Sequence, residues 1–261
     1  MAALNTLEIF GTISGLKINT DKTKIVWIGK KKNSLDKFDI KQKLAWGTSE
    51  FNLLGLTFSV NLKKMVSLNY SSALNKVRTT LNRWKKRNLT PLGKITVIKT
   101  FIISAFNHLF SAIPSPDAQF MSQLNHLLYS FIWDNKPHKV SCKQMTNTNI
   151  KGGFNMTDIE NFILSQKLIW IKRLVTRKSA PWSRLISSMF DTSKLYNLGS
   201  IWSKRLAIQM TNPFWKEVLF SWYKFLSIGE VKKVTCSQYL FGTTLPSHLN
   251  HYSTPIGQNL V

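Results

Sequence analysis

Three successive apolar patterns at helical spacing lie in the middle of the chain, and they constrain its fold most because each must be covered by a neighbour. The first predicts a helix over Ser71–Lys86, and the last predicts one over about Asp117–Trp133. Between them, Thr90 predicts an N-cap with Pro91 at the first helical position, which opens a helix running to about Ile113. The expected buried stripes are Leu74, Val77, Leu81 and Trp84, then Ile95, Ile98, Ile102, Ala105 and Leu109, then Phe120, Leu124, Leu127, Leu128 and Phe131. The pattern indicates the core of a helical bundle.

Charge is distributed unevenly along this part of the chain. From Phe51 to Pro116 there is no Asp or Glu, whereas ten Lys and Arg occur. The whole chain carries 36 Lys and Arg against 12 Asp and Glu, a formal net charge of +24. Such a surplus repels itself unless an anionic partner neutralises it, and nucleic acid is the usual one. The acid-free span therefore predicts a surface that follows phosphates, with a merely solvated basic face as the alternative.

The remaining patterns predict further helices and two strands. The helices are expected at Ala2–Ile13, Thr157–Val175, Ser200–Met210 and Pro213–Leu226, and the strands at Lys24–Ile28 and Leu53–Phe58. Gly55 lies inside the second strand, where a glycine indicates that another backbone approaches closely. With so few strands, their apolar edges would be open, which invites aggregation or a partner. The predicted fold class is α+β and predominantly helical.

Several classes of protein are disfavoured. Two cysteines, Cys142 and Cys236, are too few for a disulfide framework and indicate a reducing compartment. The first residues lack the positively charged region of a signal peptide. The most apolar window, Ile95–Ile113, is interrupted by Lys99 and other polar side chains, so no membrane span is expected. The protein is predicted to be cytoplasmic or nuclear.

Four blocks follow one another in a fixed order. They are FGTISGLKINTDKTKIVWIG at Phe10–Gly29, FNLLGLTFS at Phe51–Ser59, the basic helical segment Leu81–Pro116, and FIWDNKPHKVS from Phe131 with GGFNMTDIENFILSQKLIWIKRL after it. Together they resemble the reverse transcriptases of non-LTR (LINE-type) retrotransposons, over roughly residues 1–175. The resemblance implies the C-terminal remnant of a polymerase palm at residues 1–68, a helical thumb at residues 69–133 and a helical connector at residues 134–261.

The same resemblance assigns supporting roles in polymerisation. It implies that Lys22 lies near the leaving pyrophosphate of the intact enzyme, where a cation stabilises developing charge, although a plain surface lysine is the alternative. It implies that Leu54, Gly55 and Leu56 form the primer grip, although a buried hairpin explains them equally well. The residues expected to contact the hybrid duplex from the thumb are Arg83, Lys85, Lys86, Arg87, Lys94 and Lys99. The implied partners are RNA and an RNA/DNA hybrid.

The catalytic centre of such enzymes is expected to be missing. It consists of two metal ions, expected to be magnesium, on a triad of palm carboxylates, two of them from a paired-Asp hairpin that precedes the block at Phe10–Gly29. The close carboxylate pairs that occur here are Asp36 with Asp39, in a lysine-rich connector, and Asp158 with Glu160, at a helix start where capping explains them. We therefore expect no catalytic residue, metal or cofactor site in this chain. The missing N-terminal palm and fingers would then be a partner.

Other catalytic and metal-binding patterns are weak. His138 and Cys142 are four residues apart and His248 and His251 three, but no second cysteine pair completes a zinc site. Three hypotheses stay open: a catalytically inactive portion of a reverse transcriptase that retains nucleic-acid affinity, a non-enzymatic RNA- or DNA-binding module, and a helical interaction protein. A decayed gene product without activity is compatible with the same sequence.

Overall fold

A computed structural model describes residues 2–19, 21–29, 45–47, 50–177, 179–192, 194–197 and 199–228. Its fold is α+β and predominantly helical, as the sequence predicts. The chain divides into two compact units, Met1–Ser72 and Ala73–Val261, and the boundary falls within one long helix. The division at residues 68 and 133 inferred from the sequence stays a prediction.

The described part of the first unit contains one helix, two small sheets and the start of a second helix. Helix α1 is Ala2–Ser14; strand β1 (Lys24–Ile25) pairs in parallel with β2 (Ala45–Trp46); β3 (Glu50–Leu53) pairs antiparallel with β4 (Leu56–Ser59). The predicted helix at the N-terminal end is confirmed. The strand predicted to reach Ile28 is wrong in length, because β2 offers β1 only a two-residue ladder and Ile28 is exposed.

The glycine of the second predicted strand lies in a turn. Leu54 and Gly55 separate β3 from β4 and both have positive φ angles, 50° and 79°. Two successive residues with positive φ are what a two-residue hairpin turn of the favoured hand requires. A Cβ built on Gly55 would meet nothing within 4 Å, so the close approach of another backbone predicted there is wrong. The single strand Leu53–Phe58 is thus a hairpin, with Phe51 stacked on Phe58 across it at 5.4 Å between ring centroids.

Helix α2, Leu62–Lys85, covers part of the strand edge that the sequence leaves open. It begins earlier than predicted because the Asn61 side chain accepts a hydrogen bond from the backbone N–H of Lys64 at 3.2 Å. On its buried face, the Asn69 amide accepts from the N–H of Thr57 at 3.0 Å and donates to the Thr57 carbonyl at 2.7 Å. Asn69 therefore satisfies the β4 backbone as a neighbouring strand would.

The second unit begins within α2 and continues into a helix of mixed geometry. Its parts are α3 (Pro91–Val97), a π-helical turn (Ile98–Ile103) and α4 (Ser104–Ala112). The predicted N-cap is confirmed, since Thr90 Oγ1 accepts from the N–H of Gly93 at 3.2 Å. The predicted stripe is buried at Ile95, Ile98, Ile102 and Leu109, but Ala105 is exposed and Phe106 is buried in its place. The wider π turn uses an extra residue, which moves the core position after Ile102 from Ala105 to Phe106 and adds Phe110 beside Leu109.

The helix Pro91–Ala112 is the one candidate membrane span in the described part of the chain, by its length and apolar composition alone. Its core-facing side chains, among them Ile98, Phe106 and Phe110, are buried within the protein. A buried core helix passes the same test, so the finding is weak evidence for a membrane.

Seven further α-helices and a 3-10 helix (Asn149–Lys151) complete the described part of the second unit. The α-helices are α5 (Ala118–Ile132), α6 (Cys142–Thr146), α7 (Ile159–Thr176), α8 (Pro181–Met189), α9 (Lys194–Asn197), α10 (Gly199–Gln209) and α11 (Pro213–Ile228). Asp117 caps α5 and Asp158 caps α7, where its Oδ1 accepts from the N–H groups of Glu160 and Asn161 at 3.0 and 3.2 Å. The capping role predicted for Asp158 is therefore confirmed.

One hydrophobic core of the second unit is formed by residues of α7, α8, α9, α10 and α11. Helix α7 packs on both α4 and α11, and α10 packs on α11. The widely spaced tryptophans of the C-terminal half meet here: Trp170, Trp182 and Trp215 pack ring against ring, and Trp222 is fully buried. These aromatic residues form a structural core.

Candidate nucleic-acid interface

The exposed end of helix α2 carries a cluster of positive charge. Arg83 and Lys85 lie in its last turn, and Lys86 and Arg87 follow directly; all four are exposed. We call these four residues the basic patch. Cations at a helix C-terminus also interact favourably with the negative end of the helix dipole, so this position suits the basic patch.

One member of the basic patch is held in place by an aromatic ring. The backbone N–H of Arg87 donates to the carbonyl of Trp84 at 3.1 Å as the helix ends, and its guanidinium carbon lies 4.7 Å from the centroid of the Trp84 ring. Such cation–π contacts orient a guanidinium while leaving its N–H groups available to an anion. Trp84 in turn packs on Phe101 of the π-helical turn, with ring centroids 5.3 Å apart.

Lys94 is not part of this surface, which differs from the sequence prediction. Its side chain is only 5% exposed, and its ammonium lies 2.5 Å from Asp134 Oδ1 and 3.4 Å from the Ile132 carbonyl at the end of α5. Asp134 is placed for this contact by a backbone φ of 52°. Lys94 therefore ties α3 to the C-terminus of α5, and it is not available to a phosphate.

Lys99 is neither exposed like the basic patch nor fully buried like Lys94. It belongs to the π-helical turn and is half-buried, and burial lowers its pKa. A long aliphatic stem can be buried while the ammonium reaches water, so a phosphate contact is not removed by this geometry. Of the six lysines and arginines expected on the interface, four are exposed together and one is internal.

The residues with expected polymerase roles lie in the first unit. Lys22 is exposed on a loop organised by Asn19, whose Oδ1 accepts from the N–H of Lys22 at 3.0 Å and whose carbonyl accepts from the N–H of Thr23 at 3.0 Å. At the hairpin tip Leu54 is exposed, whereas Leu56 is buried. The pyrophosphate role of Lys22 and the primer-grip role of Leu54, Gly55 and Leu56 stay predictions.

Most carboxylates in the described part of the chain serve structural roles. Besides the two helix caps, Glu50 pairs with Lys64 at 2.5 Å and Asp191 with Lys194 at 3.7 Å. Among the described residues no three His, Cys, Asp or Glu side chains converge on a possible metal position. The other members of the weak patterns, Asp36, Asp39, Cys236, His248 and His251, lie outside the described residues.

His138 and Cys142 also have ordinary surroundings. The His138 ring stacks on Tyr129 with centroids 5.3 Å apart, and Cys142 is an exposed free thiol at the start of α6. Burial is the main cause that raises the pKa of Tyr129, with a hydrogen bond to Cys142 adding to it. These contacts account for both residues without a metal.

A buried charged network in the second unit has no counterpart in the sequence predictions. The Lys167 ammonium donates to the Ile113 carbonyl at 2.6 Å, lies 3.5 Å from Glu217 Oε2 and sits 4.4 Å from the Phe214 ring centroid. Burial lowers the pKa of Lys167 to about 8, and Glu217 opposes that shift. Glu217 also accepts from the N–H and hydroxyl of Ser115 at 2.8 and 2.9 Å. The network joins the end of α4 to α7 and α11.

Comparison with known proteins finds a similarity to a plant protein. Over 146 residues the chain is 24% identical to an Arabidopsis thaliana protein with the name "Putative ribonuclease H protein At1g65750". The match covers 53% of this chain and 22% of that protein, so the chain spans about a fifth of that relative's length. No family model matches the chain. The similarity is thus to a protein named for an activity on nucleic acid, and it gives no direct support for the resemblance to reverse transcriptases.

Proposed function

We propose that this chain is a nucleic-acid-binding portion of a retrotransposon polyprotein, with the helical segment around the basic patch serving as the thumb of a reverse transcriptase. The observation that carries the proposal is the exposure of Arg83, Lys85, Lys86 and Arg87 together, within a span of sequence that contains no carboxylate. The name of the Arabidopsis relative supports the same class of partner, because a ribonuclease acts on RNA.

The expected ligand is RNA or an RNA/DNA hybrid, bound through its phosphates. Backbone contacts position a nucleic acid without reading its sequence, as a polymerase requires. If four cations each contact a phosphate, affinity for a duplex falls with a log–log slope of about −3.6 against salt, which is roughly a 100-fold loss between 50 and 200 mM. A non-enzymatic binding module is expected to show the same salt dependence of affinity. It differs from a portion of a reverse transcriptase only in having no part in polymerisation.

We propose that the chain does not polymerise by itself. Most of the carboxylates described in the structure cap helices or form ion pairs, and among the described residues no three His, Cys, Asp or Glu side chains converge on a possible metal position. Incubation of the purified chain with a primed RNA template, deoxynucleotides and magnesium is expected to give no primer extension. Robust extension would overturn this part of the proposal.

The binding proposal is tested by charge reversal on the basic patch. The triple variant Arg83→Glu, Lys85→Glu, Lys86→Glu is expected to flatten the salt dependence of hybrid-duplex binding by a slope of about 3, since three phosphate contacts are lost. Fluorescence anisotropy with a labelled duplex at several salt concentrations measures the slope.

A second triple variant separates a local site from overall charge. Lys172, Lys216 and Lys224 are exposed on α7 and α11, and changing all three to Glu alters the net charge by the same amount. This control is expected to leave the slope within about one unit of the unaltered chain. Equal flattening by both triple variants would mean that net charge alone holds the duplex, and the proposed site would be wrong.

A further inference from the structure

Next to the basic patch lies an aromatic pair that is not fully covered. Trp84, at the end of α2, and Phe101, in the π-helical turn, pack with their ring planes tilted by 34°. Trp84 is half-buried, but the Phe101 residue is 48% exposed. A large part of an aromatic ring is therefore presented to solvent on a rigid base formed by a second ring.

Phe101 lies within the π-helical turn and faces outward. Both residues after it, Ile102 and Ile103, are buried in the core, which the wide turn accommodates. π turns are uncommon and are found frequently at functional sites. The exposed aromatic side chain of this turn is Phe101.

The charged residues next to Trp84 along the chain are all positive. The Arg87 guanidinium lies over the Trp84 ring at 4.7 Å, and exposed Lys85 and Lys86 flank Trp84 along the chain. No Asp or Glu occurs in the whole span from Phe51 to Pro116. Aromatic faces beside cations are the two components that single-stranded nucleic acids require of a binding site, the rings for the bases and the cations for the phosphates.

We propose that Phe101, supported by Trp84 with Arg87 over the Trp84 ring, is a stacking site for an unpaired base of a single-stranded nucleic acid. The inference rests on the proposed function, because the basic patch holds the phosphates on either side of the stacked base. A fully paired duplex keeps its bases inside the helix, so it reaches the basic patch without using Phe101. The site thus favours a single strand or a junction where pairing ends.

The test compares two oligonucleotides with the same phosphates. One is an oligothymidylate of about 12 nucleotides and the other an abasic strand of the same length, each bound to the full chain and followed by fluorescence anisotropy. Phe101→Leu keeps an apolar side chain but removes the ring, and it is expected to weaken oligothymidylate binding at least about fivefold while leaving the abasic strand unchanged. Phe101→Tyr keeps the ring and is expected to retain the preference for bases.

Phe10 provides a matched control, because it is a phenylalanine of similar exposure, 54%, on α1. Phe10→Leu is expected to change neither affinity. Unchanged oligothymidylate binding in Phe101→Leu, or an equal loss for both strands, would overturn the stacking site while salt-sensitive binding of both strands still supports the basic patch. If neither strand nor the duplex binds in a salt-sensitive way, the proposed function itself fails.

Discussion

Substitution of Lys94 and substitution of Asp134, which form an ion pair, are expected to change the free energy of unfolding by different amounts. The Lys94 side chain is 5% exposed and that of Asp134 is 61% exposed, although their charged atoms are 2.5 Å apart. Asp134→Asn preserves shape and tolerates the positive φ of 52°, but it leaves a buried ammonium opposite a neutral amide. Lys94→Met removes the buried charge and leaves behind a carboxylate that water can solvate.

The magnitudes follow from this difference in exposure. Breaking a fully buried pair costs about 3–5 kcal/mol and an exposed pair about 0.2–1 kcal/mol, so Asp134→Asn, with one partner in water, is expected to cost about 1–2 kcal/mol. Lys94→Met loses the contact with the Ile132 carbonyl at 3.4 Å but avoids desolvating an ammonium, and it is expected to cost less, about 0–1 kcal/mol. The order of the two effects is the prediction.

Urea unfolding followed by tryptophan fluorescence measures both variants and the double variant. The double variant is expected to resemble Lys94→Met, because Asp134 no longer has a buried charge to compensate. Hybrid-duplex binding by Lys94→Met is expected to equal that of the unaltered chain, in contrast to the basic patch. A cost above about 3 kcal/mol for Lys94→Met with a neutral Asp134→Asn would refute the reasoning.

Two further predictions concern the second unit. Because burial lowers the pKa of Lys167 to about 8 from 10.5, the unfolded chain binds more protons between those pH values, and the free energy of unfolding is expected to rise by roughly 3 kcal/mol across the window. Lys167→Met should lack this rise in urea unfolding at several pH values, and a rise of the same size in the variant would contradict the assignment. Gly153→Ala would place its Cβ 2.1 Å from the Asn147 carbonyl oxygen. The melting temperature of this variant should therefore fall, with a destabilisation of at least about 2 kcal/mol. The control Gly93→Ala, whose Cβ would lie 3.5 Å from its nearest neighbour within a helix, should be neutral or stabilising.

Local signals in the sequence were sufficient for much of the fold. Thr90 with Pro91 and Asp158 predicted helix starts because a cap depends on residues two or three positions away. The buried faces of α2 and α5 could likewise be predicted, because their apolar residues, among them Leu81 and Leu128, recur at helical spacing. The exposed basic patch followed from the same reading, because residues off an apolar stripe face solvent.

The buried lysines could not be predicted in this way. Lys94 meets a partner 40 residues later in the chain, and Lys167 meets a carbonyl 54 residues earlier. From sequence alone, each is simply a cation beside an apolar stripe, and the assignment of Lys94 to a phosphate-facing surface failed for that reason. Gly55 was misplaced because a glycine inside an apolar run is compatible with both a strand and a turn.

The π-helical turn at Ile98–Ile103 also bears on how this chain is aligned with others. Because the turn accommodates one residue more than a regular helix, a related chain whose helix is α-helical throughout would have one residue fewer between the positions of Lys94 and Phe106. An ungapped alignment through this helix would then match Phe106 and Phe110 to surface positions of the relative. A single-residue gap placed within the turn would restore the correspondence of their cores and would show the turn to be an insertion.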